Sequence, residues 1–151
     1  MGAILMETMA FGIGEVTSVE IDAMGLGWAN REVFVRAALN LKARFPEICV
    51  TEAIIDGSPI TNPGFNLEYP FRCVIHGEIS HKEIAGASII AKIHRDALME
   101  SLEKTHPAYG FASHKGYGTE KHKRALEKLG PIQGIHRMSY APLRKYGGKV
   151  F

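Results

Sequence analysis

Two carboxylates stand where an α/β protein could use them. Asp56 closes the β-branched run ICVTEAII at 48–55, and Glu78 follows the strand-like run at 69–75, behind Gly77. Sheets of α/β proteins usually place ligands at the carboxyl ends of their strands. Acids at two such ends could share a divalent cation, because Mg²⁺ takes one or two protein carboxylates and completes its shell with water and substrate phosphate. Asp56-Gly57 is equally an ordinary turn pair.

A second concentration of chemistry lies at 109–122, YGFASHKGYGTEKH. Its three glycines let a ligand approach the backbone, Tyr109, Phe111 and Tyr117 offer flat faces, and His114, Lys115, Lys121 and His122 supply positive or titratable groups. Basic residues interleaved with aromatics suit a nucleic-acid backbone with one sugar or base stacked. Zinc is weakly supported, since His114 and His122 lack partners at recognised ligand spacing. Upstream, Ser88, Lys92 and Arg95 fall at i, i+4 and i+7, one face of a helix. Lys92 and Arg95 in apolar surroundings would need an anion such as phosphate. An Arg95–Asp96 ion pair or a solvated stripe is the alternative.

The elements that must position these groups follow from periodicity and punctuation. Residues 4–16 read as a strand or strand pair. Thr17 and Ser18 offer a helix N-cap, with Glu20 and Asp22 in the first turn. Helical spacing then runs to about residue 44, divided by Gly25 and Gly27 and stopped by Pro46. Strands are expected at 48–55 and 69–75, with a Pro/Gly/Asn loop at 58–66. A long helix follows at 83–104, then a basic, Gly-rich loop at 109–119, and a helix at 120–129 ended by Gly130-Pro131. This order is α/β.

The chain has 151 residues, the size of one domain, with 46% hydrophobic and 23% charged residues. Such a composition excludes collagenous and disordered classes. Its net charge of +2 conceals a division: residues 1–70 carry 4 Lys/Arg against 9 Asp/Glu, residues 71–151 carry 14 against 7, and all seven histidines lie in the second part. A basic half beside an acidic one suggests a polyanionic partner with an acidic, metal-competent site near it, although solvated faces would give the same imbalance. Cys49 and Cys73 sit in apolar stretches and read as buried free thiols. Residues 1–16 show neither a basic n-region nor a cleavage pattern and are too short to span a bilayer, so a cytoplasmic location is expected.

The strings ASIIAKIHRDALM at 87–99, HPAYGFASHKGYGTEKH at 106–122 and GPIQGIHRMSYAP at 130–142 resemble ribonuclease HII, the type 2 ribonuclease H family. IIDG at 54–57 and VIHGE at 74–78 fall at that family's two later catalytic strand ends, and residues 18–39 are similar to its helix pair. The resemblance implies a ribonuclease H-like α/β fold in a single domain. Residues 1–105 would form a partial core, and 106–151 a C-terminal helical region carrying a substrate-binding loop. It also implies an endonuclease of DNA replication or repair that cuts the RNA strand of RNA–DNA hybrids on the 5′ side of embedded ribonucleotides. The cofactor would be Mg²⁺ or Mn²⁺.

By position, Asp56 matches the family's third metal-binding carboxylate and Glu78 its fourth, normally an aspartate. Tyr117 matches the tyrosine that packs on the ribonucleotide sugar, and Ser88, Lys92, Arg95 and Lys115 lie along the expected nucleic-acid path. His94 stands where threonine is usual. The family's Asp-Glu/Gly-Arg-Gly motif, which bears its first two carboxylates, has no counterpart here, so an N-terminally truncated fold lacking the first strands is expected. A chain that kept the basic half with an incomplete metal site would bind hybrid or duplex without cutting it. The partner in either case is nucleic acid, with no membrane and no obligate protein partner implied.

Overall fold

The structure, a computed structural model, describes residues 10–60 and 65–146. The chain divides into two compact units, one of Met1–Val16 and Gly27–Ala91, the other of Thr17–Leu26 and Lys92–Phe151.

In the first unit, β1 (Ala53–Asp56) and β2 (Phe71–Val74) pair in parallel, with Ala53 opposite Phe71 and Asp56 opposite Val74. Gly57 N–H donates to the Val74 carbonyl at 2.9 Å, extending the pairing past Asp56. Both strands are shorter than the runs at 48–55 and 69–75 suggested. β-branched composition favours an extended chain, but a strand ends where its partner ends. Cys49, expected to be buried, is exposed, and Cys73 is half-buried; both are free thiols.

Residues 4–9 of the predicted N-terminal strand lie outside the described residues, and 10–16 form no strand. They run instead along α2 (Leu26–Arg44), whose side chains satisfy their polar groups. Ile13 N–H donates to Asn40 Oδ1 at 2.9 Å, Arg36 to the Glu15 carbonyl at 2.8 Å and Arg44 to the Phe11 carbonyl at 3.0 Å. The approach requires glycine: a Cβ at Gly12 would lie 2.2 Å from the Ala37 carbonyl oxygen, and one at Gly14 2.0 Å from that of Val33. α2 ends before Pro46, as expected. Gly27 lies inside it, so Gly25 alone separates it from the helix before.

That helix, α1 (Ser18–Met24), belongs to the second unit. Thr17 caps it in a reciprocal capping box with Glu20. Asp22 accepts hydrogen bonds from Met138 N–H at 2.8 Å and from the N–H and hydroxyl of Ser139. Although burial raises its pKa, the hydrogen bonds from Ser139 and Met138 outweigh that and hold the carboxyl below its ordinary value.

The long predicted helix is α4 (Lys82–Thr105), preceded by the single turn α3 (Gly77–Ser80). The Gly-rich loop is more ordered than its composition suggests. It holds a 3₁₀ turn at Pro107–Tyr109 and the helical turn α5 (Phe111–His114), both pulled into the core. That core gathers Met99, Tyr109 and Phe111 with Leu102, Leu126, Leu129 and Ile132 packed round them. The Tyr109 hydroxyl donates to the Gly130 carbonyl at 2.7 Å, which ties the loop to the end of α6 (Glu120–Leu129). Beyond it lies a 3₁₀ helix, Ala141–Tyr146, anchored by buried Leu143. Among the described residues no helix is long and apolar enough to cross a membrane.

Candidate functional site

In the first unit Asp56 is exposed at the carboxyl end of β1, and its Oδ1 accepts the N–H of Gly77 at 3.0 Å. Glu78 is therefore brought near Asp56 by the residue before it. It is not at the strand end itself: β2 stops at Val74, and Glu78 sits in the first turn of α3. The chain turns there through His76 at φ 55°, a left-handed conformation unusual for a residue with a side chain. Gly77 is buried, and a Cβ there would meet Ile84 Cδ1 at 2.4 Å. Glu78 is exposed, with Oε1 3.8 Å from His76 Nδ1.

Asp56 lines a cleft of about 560 Å³ together with Asn30, Arg31, Phe34 and Ile55. No local pattern marks Asn30 and Arg31, because only the tertiary fold brings them to the same cleft as Asp56. An exposed carboxylate oriented by a backbone amide, with a second exposed carboxylate on the residue after that amide, suits a hard cation whose other ligands are water and phosphate oxygen. Among the described residues no group of three or more His, Cys, Asp or Glu converges.

The second unit carries the loop. Tyr117 is exposed and its backbone is held at every polar atom. Its N–H donates to the His114 carbonyl at 2.8 Å, and its carbonyl accepts from Thr119 N–H at 2.8 Å and His122 Nδ1 at 3.0 Å. Lys115 adopts φ 50°, its Nζ pairs with Glu100 at 2.8 Å, and its carbonyl accepts from Arg95 Nη2 at 3.1 Å.

For Lys92 and Arg95 the solvated-stripe alternative is the one the structure supports. Both are exposed rather than set among apolar groups, and the ion pair to Asp96 is made by Lys92, one helical turn away. Lys92 holds that carboxyl below its ordinary range by hydrogen bonding, against a smaller effect of burial. Arg95 instead braces the Lys115 turn. Ser88 is exposed on α4, within the stretch assigned to the first unit. On α6, Lys121, Arg124 and Lys128 are exposed at i, i+3 and i+7; only Lys121 was singled out by the loop motif, although helical spacing makes the whole stripe legible.

A family model described as Ribonuclease HII matches residues 31–143, a span that contains Asp56, Glu78, Ser88, Lys92, Arg95, Lys115 and Tyr117. The chain belongs to the ribonuclease HII family. It is 40% identical over 142 residues to the ribonuclease HII of Halorhodospira halophila, covering 94% of this chain and 69% of the relative. It is 39% identical over 146 residues to that of Chromohalobacter salexigens, covering 95% and 67%. For the ribonuclease HII of Thermus thermophilus the figures are 37% over 135 residues, 89% and 61%. The chain thus spans about two thirds of these relatives' length. As a ribonuclease HII family member it falls among the ribonuclease H-type endoribonucleases, and its small parallel sheet with flanking helices is compatible with an α/β ribonuclease H-like fold.

Proposed function

We propose that this chain hydrolyses the RNA strand of RNA–DNA hybrids and cuts on the 5′ side of ribonucleotides embedded in DNA. The observation that carries the reading is the Gly77 N–H to Asp56 Oδ1 bond, which joins a strand-end carboxylate to the turn bearing a second one. Asp56 and Glu78 would hold a divalent cation, Mg²⁺ or Mn²⁺, which when bound supplies charge neutralisation at the scissile phosphate. The amide of Gly77 fixes one oxygen of Asp56 and leaves the other open.

Tyr117 offers its exposed ring to the sugar of the ribonucleotide from a backbone held on both sides. Lys115, Lys92 and Ser88 supply contacts along the phosphate path. The ion pairs of Lys92 with Asp96 and Lys115 with Glu100 do not oppose this. Exposed pairs such as Lys92–Asp96 contribute at most about 1 kcal/mol, so a phosphate displaces that carboxylate at little cost, and Glu100, the partner of half-buried Lys115, is itself exposed. Arg95 serves the same path indirectly by holding the Lys115 carbonyl.

The test is a duplex with a single embedded ribonucleotide, incubated with the chain and Mn²⁺ or Mg²⁺, its products sized against an all-DNA duplex. Cleavage on the 5′ side of the ribonucleotide and none of the all-DNA control is expected. No cleavage, or cleavage blind to the ribonucleotide, would overturn the reading.

A further inference from the structure

Three histidines of the second unit, His114, His122 and His136, are 4%, 6% and 7% exposed, and each uses both ring nitrogens. The His114 and His122 rings stack at 4.1 Å, and Phe111 lies against all three. The backbone partners determine which nitrogen carries each proton. Ile132 N–H donates to His136 Nδ1 at 2.9 Å, the Ile132 carbonyl lying farther at 3.3 Å, so the proton of His136 is on Nε2. That nitrogen is 3.3 Å from His122 Nε2, which must then accept. The proton of His122 is left on Nδ1, which donates to the Tyr117 carbonyl.

The result is a one-way series of hydrogen bonds through neutral imidazoles, from the Ile132 amide to the Tyr117 carbonyl. His114 adds a parallel clamp: its Nδ1 accepts from Gly116 N–H at 3.1 Å, and its Nε2 donates to the Tyr109 carbonyl at 2.9 Å.

We propose that His122, with its tautomer set by His136, is a positioning residue for Tyr117. The relay holds the Gly116-Tyr117 backbone so that the exposed ring meets a ribonucleotide without having to be ordered first. Preorganisation of this kind improves affinity by removing an ordering cost. The inference rests on the reading of Tyr117 as the residue that packs on the ribonucleotide sugar.

Binding without turnover tests it. The affinities of Tyr117→Ala, His122→Leu and His122→Asn would be compared on duplexes with and without one embedded ribonucleotide. Tyr117→Ala should reduce the preference for the ribonucleotide duplex roughly tenfold, the scale of one lost stacking contact. His122→Leu should reduce it about threefold to tenfold by loosening the turn. His122→Asn, whose amide nitrogen can take the place of Nδ1, should restore most of it. If Tyr117→Ala leaves the preference unchanged, the reading of Tyr117 fails and takes the inference with it. If Tyr117→Ala lowers the preference but His122→Leu does not, or Asn fails to rescue, the inference alone fails. Imidazole ¹⁵N shifts of the unaltered protein give a check that needs no variant to fold: His122 protonated on Nδ1 and His136 on Nε2 supports the relay, and the reverse pattern overturns it.

Discussion

Glu78 carries one methylene more than an aspartate would, so its carboxylate reaches farther from the backbone. The residue before it, Gly77, fixes the orientation of the Asp56 carboxylate through its amide. Asp56 is therefore the anchored member of the pair and Glu78 the adaptable one. Replacing Glu78 by Gln should raise the Mn²⁺ concentration needed for half-maximal cleavage on the order of tenfold or more, while substrate affinity in the absence of metal stays unchanged. A metal titration of activity beside a binding isotherm separates the two. Some residue placements were legible in the sequence and others were not. Asp56 was marked as a strand end by the β-branched run before it, and Tyr117 as an aromatic of the basic, Gly-rich segment at 109–122. The contact of Arg95 with the Lys115 carbonyl was not legible, because that partner lies 20 residues away in a turn that no local pattern describes.

At the scale of elements, helix ends were the most legible feature. Thr17 with Glu20, and Gly130-Pro131, act within a few residues of themselves, so their signals survive without tertiary context. Strand limits were not, because the partner of Asp56 is Val74, and nothing near Asp56 records how far that pairing runs. The segment at 10–16 teaches the same lesson. Its apolar run suggested a strand, whereas its glycines are needed because the backbone packs directly on α2. Gly14→Ala places a methyl into the carbonyl of Val33, backbone that cannot swing aside. A loss of on the order of 2–4 kcal/mol is expected from chemical denaturation, against a few tenths for Gly118→Ala, where a Cβ meets nothing.

For the molecule as a whole, the division of charge now has named contents: the histidines that looked like part of a basic surface are in good measure core. Burial pushes His136 down to about 4 and lowers His122 as well, the latter against the opposing hydrogen bond that its Nδ1 donates to the Tyr117 carbonyl. An unfolded histidine takes its proton near pH 6.5, so on acidification the unfolded chain binds protons before the folded one. The stabilisation is thus complete above about pH 6.5 and lost progressively as pH falls towards about 4. The urea midpoint should fall through that window and recover on return to neutral pH. His136→Gln should flatten the dependence there, whatever its effect at neutral pH.

The reading as a whole depends on Asp56. Its most direct measurement is the cleavage rate on a duplex with one embedded ribonucleotide in Mn²⁺, for the unaltered chain and for Asp56→Asn, with duplex affinity measured alongside. A rate lower by about a hundredfold or more in Asp56→Asn, with affinity within about threefold, is the predicted result. Equal cleavage by the two proteins would contradict it.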